Sequence, residues 1–345
     1  MTLSLISIGL TDEDDLSQRA LQEARRCDAL YAELYTMMLD TDTESLAGLI
    51  GKPVTPLTRS QMEENSDALL EEAKQKKVGI LIGGDALTAT THLPLLLDAA
   101  KKGIKTTVIH GSSILTAIAE TGLSLYKFGR TVTLPLLEKA PPDTVLRTLT
   151  ENREHGLHTL ILLDLDTQKK QAHTIPDAIQ ILLEAETPEA YNRDTLTIGV
   201  ARLGWNNQTI KANTAGGLSN HDFGEPPHAL VVPGRLHFLE AEALKTIANC
   251  PSEALESHEP IGNLDRLIDK YSASCRRAIY KLETLDPPKA ITPDEVKALI
   301  EHAERYLNDA DHYAGERKAT ALASVSYAEG ILDALRLLGL VEFEW

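Results

Sequence analysis

Cysteine is scarce in this chain of 345 residues, and the three present, Cys27, Cys250 and Cys275, show no CxxC spacing. None has a histidine beside it at zinc-ligand intervals, so neither a disulfide framework nor a metal site is expected. Long apolar runs are also missing. No stretch approaches the roughly 20 residues that cross a bilayer, so no membrane partner is expected. The N-terminal MTLSLISIGL has no basic n-region and runs straight into the acidic DEDD. It therefore predicts a strand rather than a signal peptide, and a cytoplasmic location. Positive charge is short as well: 34 Lys and Arg stand against 51 Asp and Glu, a net charge of −17. That sign repels a phosphate backbone, and no nucleic-acid partner is expected.

Two nucleotide signatures are absent. SIGLTDED is not GxGxxG, and no GxxxxGK[ST] occurs. Asp12 to Asp15 would also oppose a pyrophosphate at that helix start. Nicotinamide and ATP chemistry lose ground accordingly.

What remains is a chain of ordinary hydrophobicity, 43%, and of a length that exceeds one core, so two or three domains are expected. Short apolar runs alternate with amphipathic ones, the pattern of sheets flanked by helices. Strands are expected at 3–8, 28–34, 78–82 and 104–109, with helical patterns at 90–102 and 113–121. Between the first two strands, Leu16, Ala20, Leu21 and Ala24 recur at helical spacing, with Thr11 or Asp12 as the cap. A second set follows, with strands at 131–136, 158–165, 195–202 and 229–233 and helices at 141–155, 175–186 and 236–249. The run 208–213, after GWNN, reads as a hairpin with 195–202 that would make this second sheet mixed. The spacing thus predicts two α/β domains, 1–111 and 112–254, with a ligand cleft between them.

After Pro260 strand-like runs stop. One apolar stripe runs from Leu264 to Leu285, before a DPP stop at 286–288. A second opens on Thr292-Pro293, a cap and first-turn proline, and carries Val296, Leu299, Ile300, Ala303, Leu307 and Ala310. A third, from about 317, ends at Gly339. Three such stripes predict a helical bundle over 261–340, joined by a linker at 257–262.

Small residues mark three loops at carboxyl ends of strands: SIGL (7–10), GGDALTATTH (83–92) and HGSSI (110–114). Open α/β sheets bind ligands there. Asp85 has two readings in this setting, a carboxylate facing a cationic or hydroxyl-rich ligand and a cap for the segment beginning near Thr88.

The string GGDALTATTH resembles the GDPLxATTH segment of the diphthine synthase family, and further blocks follow in the family's order. They are IGL (8–10), CDALYAELYT (27–36), HGSSI with TGLSLYKFGR (121–130), GLHTLILLDL (156–165), VARLG (200–204) and DFGEPPHALVVPGRLHFLEAE (222–242). These blocks span nearly all of residues 1–250. The family is of the tetrapyrrole-methylase type. The resemblance therefore implies two α/β domains with S-adenosyl-L-methionine in the cleft between them, S-adenosyl-L-homocysteine being the product. By the same resemblance, cofactor contacts fall on Leu10, Asp85, Thr88, Ser113, Ile114, Leu163, Leu203 and His228. The implied reaction is N-methylation of the modified histidine, aminocarboxypropyl-histidine, of translation elongation factor 2 to diphthine, in diphthamide biosynthesis. A homodimer is implied too.

There are departures. Ala86 stands where the family has proline, Ser7 where glycine is common, and LPLLEKAPPDTV (134–145) lacks the aromatic-rich loop many members carry. The C-terminal helical region lies outside the family's core and resembles a small archaeal module. His228, His110 and His92 stand beside the loops, and none is assigned as a catalytic base. Two other readings compete: a porphyrinoid methyltransferase, which would need a basic cluster for substrate carboxylates, and a non-enzymatic adaptor acting through the helical bundle.

Overall fold

A computed structural model describes residues 1–136, 140–167, 169, 171–185, 187, 189–258, 263–284, 291–315 and 317–344. Its residues form two compact units, Met1–Asn152 with Leu157–Glu259, and Arg153–Gly156 with Pro260–Trp345.

The first unit opens with β1 (Thr2–Ser7), α1 (Gln18–Arg26), β2 (Ala29–Glu33), α2 (Thr43–Ile50), β3 (Thr55–Pro56), α3 (Asp67–Ala73), β4 (Lys77–Ile82), α4 (Leu93–Lys101) and β5 (Lys105–Ile109). The strands pair in the order β3-β2-β4-β1-β5, and every pairing is parallel. From Leu3 to Ser7, β1 is buried on both faces, as helices on both sides of a parallel sheet require. The cap of α1 corrects the sequence expectation. Ser17 accepts from the Ala20 N–H, whereas Asp12 caps only the 3₁₀ turn Glu13–Asp15. Thr11 caps neither, because Leu16 and Ser17 break from helical geometry between that turn and the helix.

The same unit continues through α5 (Ile114–Ala117), β6 (Val132–Leu134), α6 (Asp143–Glu154), β7 (Thr159–Leu163), a small hairpin of β8 (Leu165–Asp166) and β9 (Gln171–Ala172), and α7 (Ile175–Glu184). It ends with β10 (Leu196–Ala201), β11 (Thr209–Thr214), α8 (Ala215–Leu218), β12 (His228–Val232), α9 (Phe238–Thr246) and α10 (Ser252–Glu256). The second sheet has the order β11-β10-β12-β7-β6. The expected hairpin is present as the antiparallel β10–β11 pair, and the sheet is mixed. The mixing goes further than the hairpin: β12 enters between β10 and β7 antiparallel to both, and only β6–β7 is parallel.

The second unit holds α11 (Asn263–Lys281), α12 (Pro293–Tyr313) and α13 (Lys318–Leu337), with β13 (Glu283–Thr284) pairing antiparallel to β14 (Val341–Glu342). Thr292 and Glu295 form a reciprocal capping box ahead of α12, with Pro293 in its first turn. The chain leaves α13 through Gly339 in the left-handed region, φ 67°. Its core runs from Ile268 and Cys275 through Val296, Ala303 and Leu307 to Val325, Leu332 and Phe343. The DPP stop at 286–288, Leu285, the side chain of Leu264 and most of the expected linker lie outside the described residues.

Candidate active site

The loop after β1 is shaped by a carboxylate. Asp15 Oδ2 accepts from the Leu10 and Thr11 N–H groups, each at 2.8 Å. Both amides are thereby taken by a side chain of the acidic DEDD run and are not offered to an anionic ligand. Gly9 makes this possible: its φ is 124°, and a Cβ there would lie 2.5 Å from Asp15 Cβ. Across the sheet, Gly9 and Gly84 exchange backbone hydrogen bonds, tying the β1 loop to the loop after β4.

That second loop is organised by Asp85, which is 5% exposed. Its Oδ1 accepts from the Leu87 N–H at 3.0 Å and Thr88 Oγ1 at 3.2 Å. Its Oδ2 accepts from His110 Nδ1 at 2.8 Å and the Gly111 N–H at 3.2 Å. Burial raises the carboxyl's pKa, but the Leu87 N–H, the His110 side chain and the Gly111 N–H outweigh it and hold the group below its ordinary value. Asp85 thus closes the turn 85–88 and bridges to the loop after β5. It does not cap a helix, since α4 begins only at Leu93.

From the second sheet come His228 and Arg202. Arg202, at φ 49°, donates to the Asn207 side chain and carbonyl and to the Glu225 carbonyl. It thereby holds the segment that delivers Pro227 and His228. The Ile175 N–H donates to His228 Nδ1 at 3.3 Å, which leaves the ring proton on Nε2. That Nε2 is buried without a partner among the described residues. Burial, and then the nearby Arg202 charge, push the His228 pKa down to about 4. It is a neutral donor at physiological pH. Trp205 Nε1 donates to the Leu10 carbonyl at 3.0 Å, so the second half of the unit also clasps the first loop.

These elements line one cleft, a concave and mainly apolar surface of the kind in which small ligands bind. Leu10, Asp85, Thr88, Ser113, Ile114, Leu163, Leu203 and His228, the positions singled out from the sequence, all line it. Thr36, Met37, Ala89, Thr90, Leu165 and Pro227 line it too; all but Met37 lie inside the family-like blocks, yet none is singled out there as a contact. The walls are mainly aliphatic, and among the described lining residues there is no Lys or Arg. Such a site suits a flat apolar group with a few fixed polar contacts, and it offers no countercharge for a polycarboxylate.

Away from the cleft, several of the most specific blocks meet in one buried cluster. Glu240, 4% exposed, accepts from the Ser124 N–H at 3.0 Å and His158 Nε2 at 3.1 Å through Oε1. Its Oε2 accepts from the His237 N–H at 2.7 Å and from Lys127 Nζ. The Gly234 N–H donates to His158 Nδ1, which fixes that imidazole as a neutral donor. Burial raises the Glu240 pKa, yet the His237 N–H, Lys127, the Ser124 N–H and His158 together bring it down to about 2. Thus KFG, GLH and LHFLEAE act here as a clamp among β7, α9 and the 124–129 loop.

Comparison with known proteins agrees with this architecture. The family profile described as Tetrapyrrole (Corrin/Porphyrin) Methylases matches residues 2–219, and one described as a protein of unknown function matches 270–341. The diphthine synthase of Methanosarcina mazei is 40% identical over 267 residues, covering 74% of this chain and 100% of that protein. That of Methanocaldococcus jannaschii is also 40% identical, covering 70% of this chain and 97% of its own length. A crystal structure of a diphthine synthase superposes with a TM-score of 0.70 at 36% identity, over 74% of this chain and 99% of that one. The clefted α/β unit and these whole-length matches place the chain in the tetrapyrrole methylase family, as a diphthine synthase-type member that carries an additional C-terminal helical region.

Proposed function

We propose that this chain uses S-adenosyl-L-methionine to methylate the amino group of the aminocarboxypropyl-histidine of translation elongation factor 2, yielding diphthine and S-adenosyl-L-homocysteine. The observation that carries the reading is the cleft, where eight family-matched positions from both sheets meet around one unpartnered buried donor. A buried N–H without an acceptor costs about 1–3 kcal/mol. A bound ligand with an acceptor nitrogen or oxygen offsets that cost at His228 Nε2. Leu10, Ile114, Leu163 and Leu203 supply apolar walls for an adenine ring, and the Gly83–Asp85 turn brings backbone to the cleft. These residues fit the donor.

When bound, the donor supplies a methyl group on a positively charged sulfur. The chain's part is to exclude water, orient the two reactants and offer the amine a direct approach, which replaces a bimolecular encounter. The lack of lining cations among the described residues disfavours a porphyrinoid with several carboxylates. We further propose a homodimer in the cytoplasm, and domains at 1–111, 112–254 and 261–340, the last a separable bundle. No described helix is long and apolar enough to cross a membrane.

The test offers the purified protein labelled donor and two acceptors, precursor-bearing elongation factor 2 and a uroporphyrinogen-type macrocycle. Mass added to the factor in methyl steps, with none on the macrocycle, is the expected result. Turnover of the macrocycle alone overturns the reading.

A further inference from the structure

Resting on the methyltransferase reading, we propose that His110 is the proton acceptor for the amine that is methylated, oriented for that role by Asp85. An amine arrives as an ammonium and must lose a proton before its lone pair can attack. The cleft's own groups are committed elsewhere. Asp85 already accepts four hydrogen bonds. His228 has no free lone pair, since Nδ1 accepts from Ile175 and Nε2 carries the proton. The hydroxyls of Thr88 and Thr90 donate inward to Asp85 and the Ala86 carbonyl. His92 is 1% exposed, with Nδ1 donating to the Ala86 carbonyl at 3.1 Å and Nε2 facing the buried Glu33 at 3.5 Å.

His110 differs from all of these. Its side chain is 70% exposed while its carboxylate partner is 7% exposed. An ionised carboxylate only accepts, so Asp85, which lines the cleft, fixes the proton on His110 Nδ1 and leaves the Nε2 lone pair on a solvent-exposed ring. Among the described residues, Asp85 is the only charged group paired with His110. This is the division of labour of a base and its orienting carboxylate. The ammonium proton passes to His110 Nε2. The freed amine lone pair forms the N–C bond to the donor's methyl as the S–C bond breaks, its electron pair staying on sulfur. The imidazolium then releases its proton to water, and the cycle is ready to repeat.

The test is His110→Gln in the full chain. Single-turnover methyl transfer at neutral pH should fall about 100-fold or more, the usual scale for losing a general base, while calorimetric donor affinity stays unchanged. The deficit should shrink as pH rises past roughly 8, where a free amine deprotonates in water. A merely structural role would give a loss independent of pH. A second readout needs no turnover: nitrogen-15 NMR of the imidazole should show the Nδ1-protonated tautomer, and Asp85→Asn should abolish that preference. A wild-type protein that transfers no methyl to the factor sinks the methyltransferase reading itself. With an active wild type, an unchanged rate in His110→Gln, or a pH-independent loss with weakened donor binding, overturns the assignment of His110.

Discussion

Asp85 and Glu240 are near twins in their immediate surroundings. Each is a buried carboxylate, each accepts hydrogen bonds from two backbone N–H groups, and each has a histidine partner. They part company at the histidine. His158 is 0% exposed and its second nitrogen is used by Gly234, whereas His110 is 70% exposed and its second nitrogen has no hydrogen-bond partner among the described residues. The first pair ends inside the protein, whereas the second ends in solvent, at a histidine held by a carboxylate that lines the cleft. Motif specificity alone does not separate the two, because a scaffold clamp and a reactive site place equally strict demands on residue identity. The direction in which the last polar atom points separates them.

The comparison breaks most sharply at Glu240. Removing the carboxylate strands His158 Nε2, Lys127 Nζ and the Ser124 and His237 N–H groups without their acceptor. Glu240→Ala should lower unfolding stability by about 3–5 kcal/mol, as when one partner of a buried pair is deleted. Urea unfolding measures it, and a loss below about 1 kcal/mol would make the cluster incidental. The acid response has a defined sign. The folded pKa is about 2 against an ordinary 4.5, so the stabilising contribution is complete above about 4.5 and is lost as pH falls from there toward 2. Glu240→Gln should flatten that limb of the stability curve.

At Asp85 the same kind of change should act on binding instead. In Asp85→Asn, Oδ1 can still accept from the Leu87 N–H, while Nδ2 now opposes the His110 and Gly111 donors. His110 can turn into water, so unfolding stability should drop by no more than about 1 kcal/mol, the net worth of one ordinary hydrogen bond. The loop it holds forms one wall of the cleft, and donor affinity by calorimetry should weaken by roughly 1–3 kcal/mol. If Asp85→Asn and Glu240→Gln lose equal stability, and donor affinity is untouched, Asp85 is scaffold as well.

How much of this was legible in the sequence differs by element. Strands β1, β4, β7, β10 and β12 fall on the expected apolar runs, because a strand buried on both faces shows as a nearly continuous apolar stretch, and the less buried β2 and β5 also fall within expected strands. The segment holding α2, β3 and α3 carries no such signal: β3 is two residues long, and α2 and α3 are two turns each, too short for a periodic stripe to stand out. The antiparallel entry of β12 is hidden as well, since strand direction is set by long-range pairing and leaves no local mark. At the site, the eight family-matched positions are visible in the sequence, whereas Met37, outside every block, and the positioning bonds of Arg202 and Trp205 are not. The joining of Lys127, His158 and Glu240 into one cluster was equally invisible, because their blocks lie far apart along the chain.

The smallest effect is expected from the largest deletion. The bundle's core is drawn from residues 268–343 alone, and it closes on itself through the three helices and the β13–β14 pair. The Methanosarcina mazei relative is matched over its whole length by only 74% of this chain, so an α/β unit of this type exists without such a bundle. A chain ending at Glu256 should therefore stay folded, keep its donor affinity within about 0.5 kcal/mol, the level at which independent sites add, and retain the Glu240 acid limb. Circular dichroism with calorimetry on that chain checks the first two, and acid unfolding the third. A truncated protein that is unfolded, or that binds the donor much more weakly, would show that the bundle contributes to the α/β unit's own stability. The contrast between Asp85 and Glu240 would then have to be measured in the full chain alone.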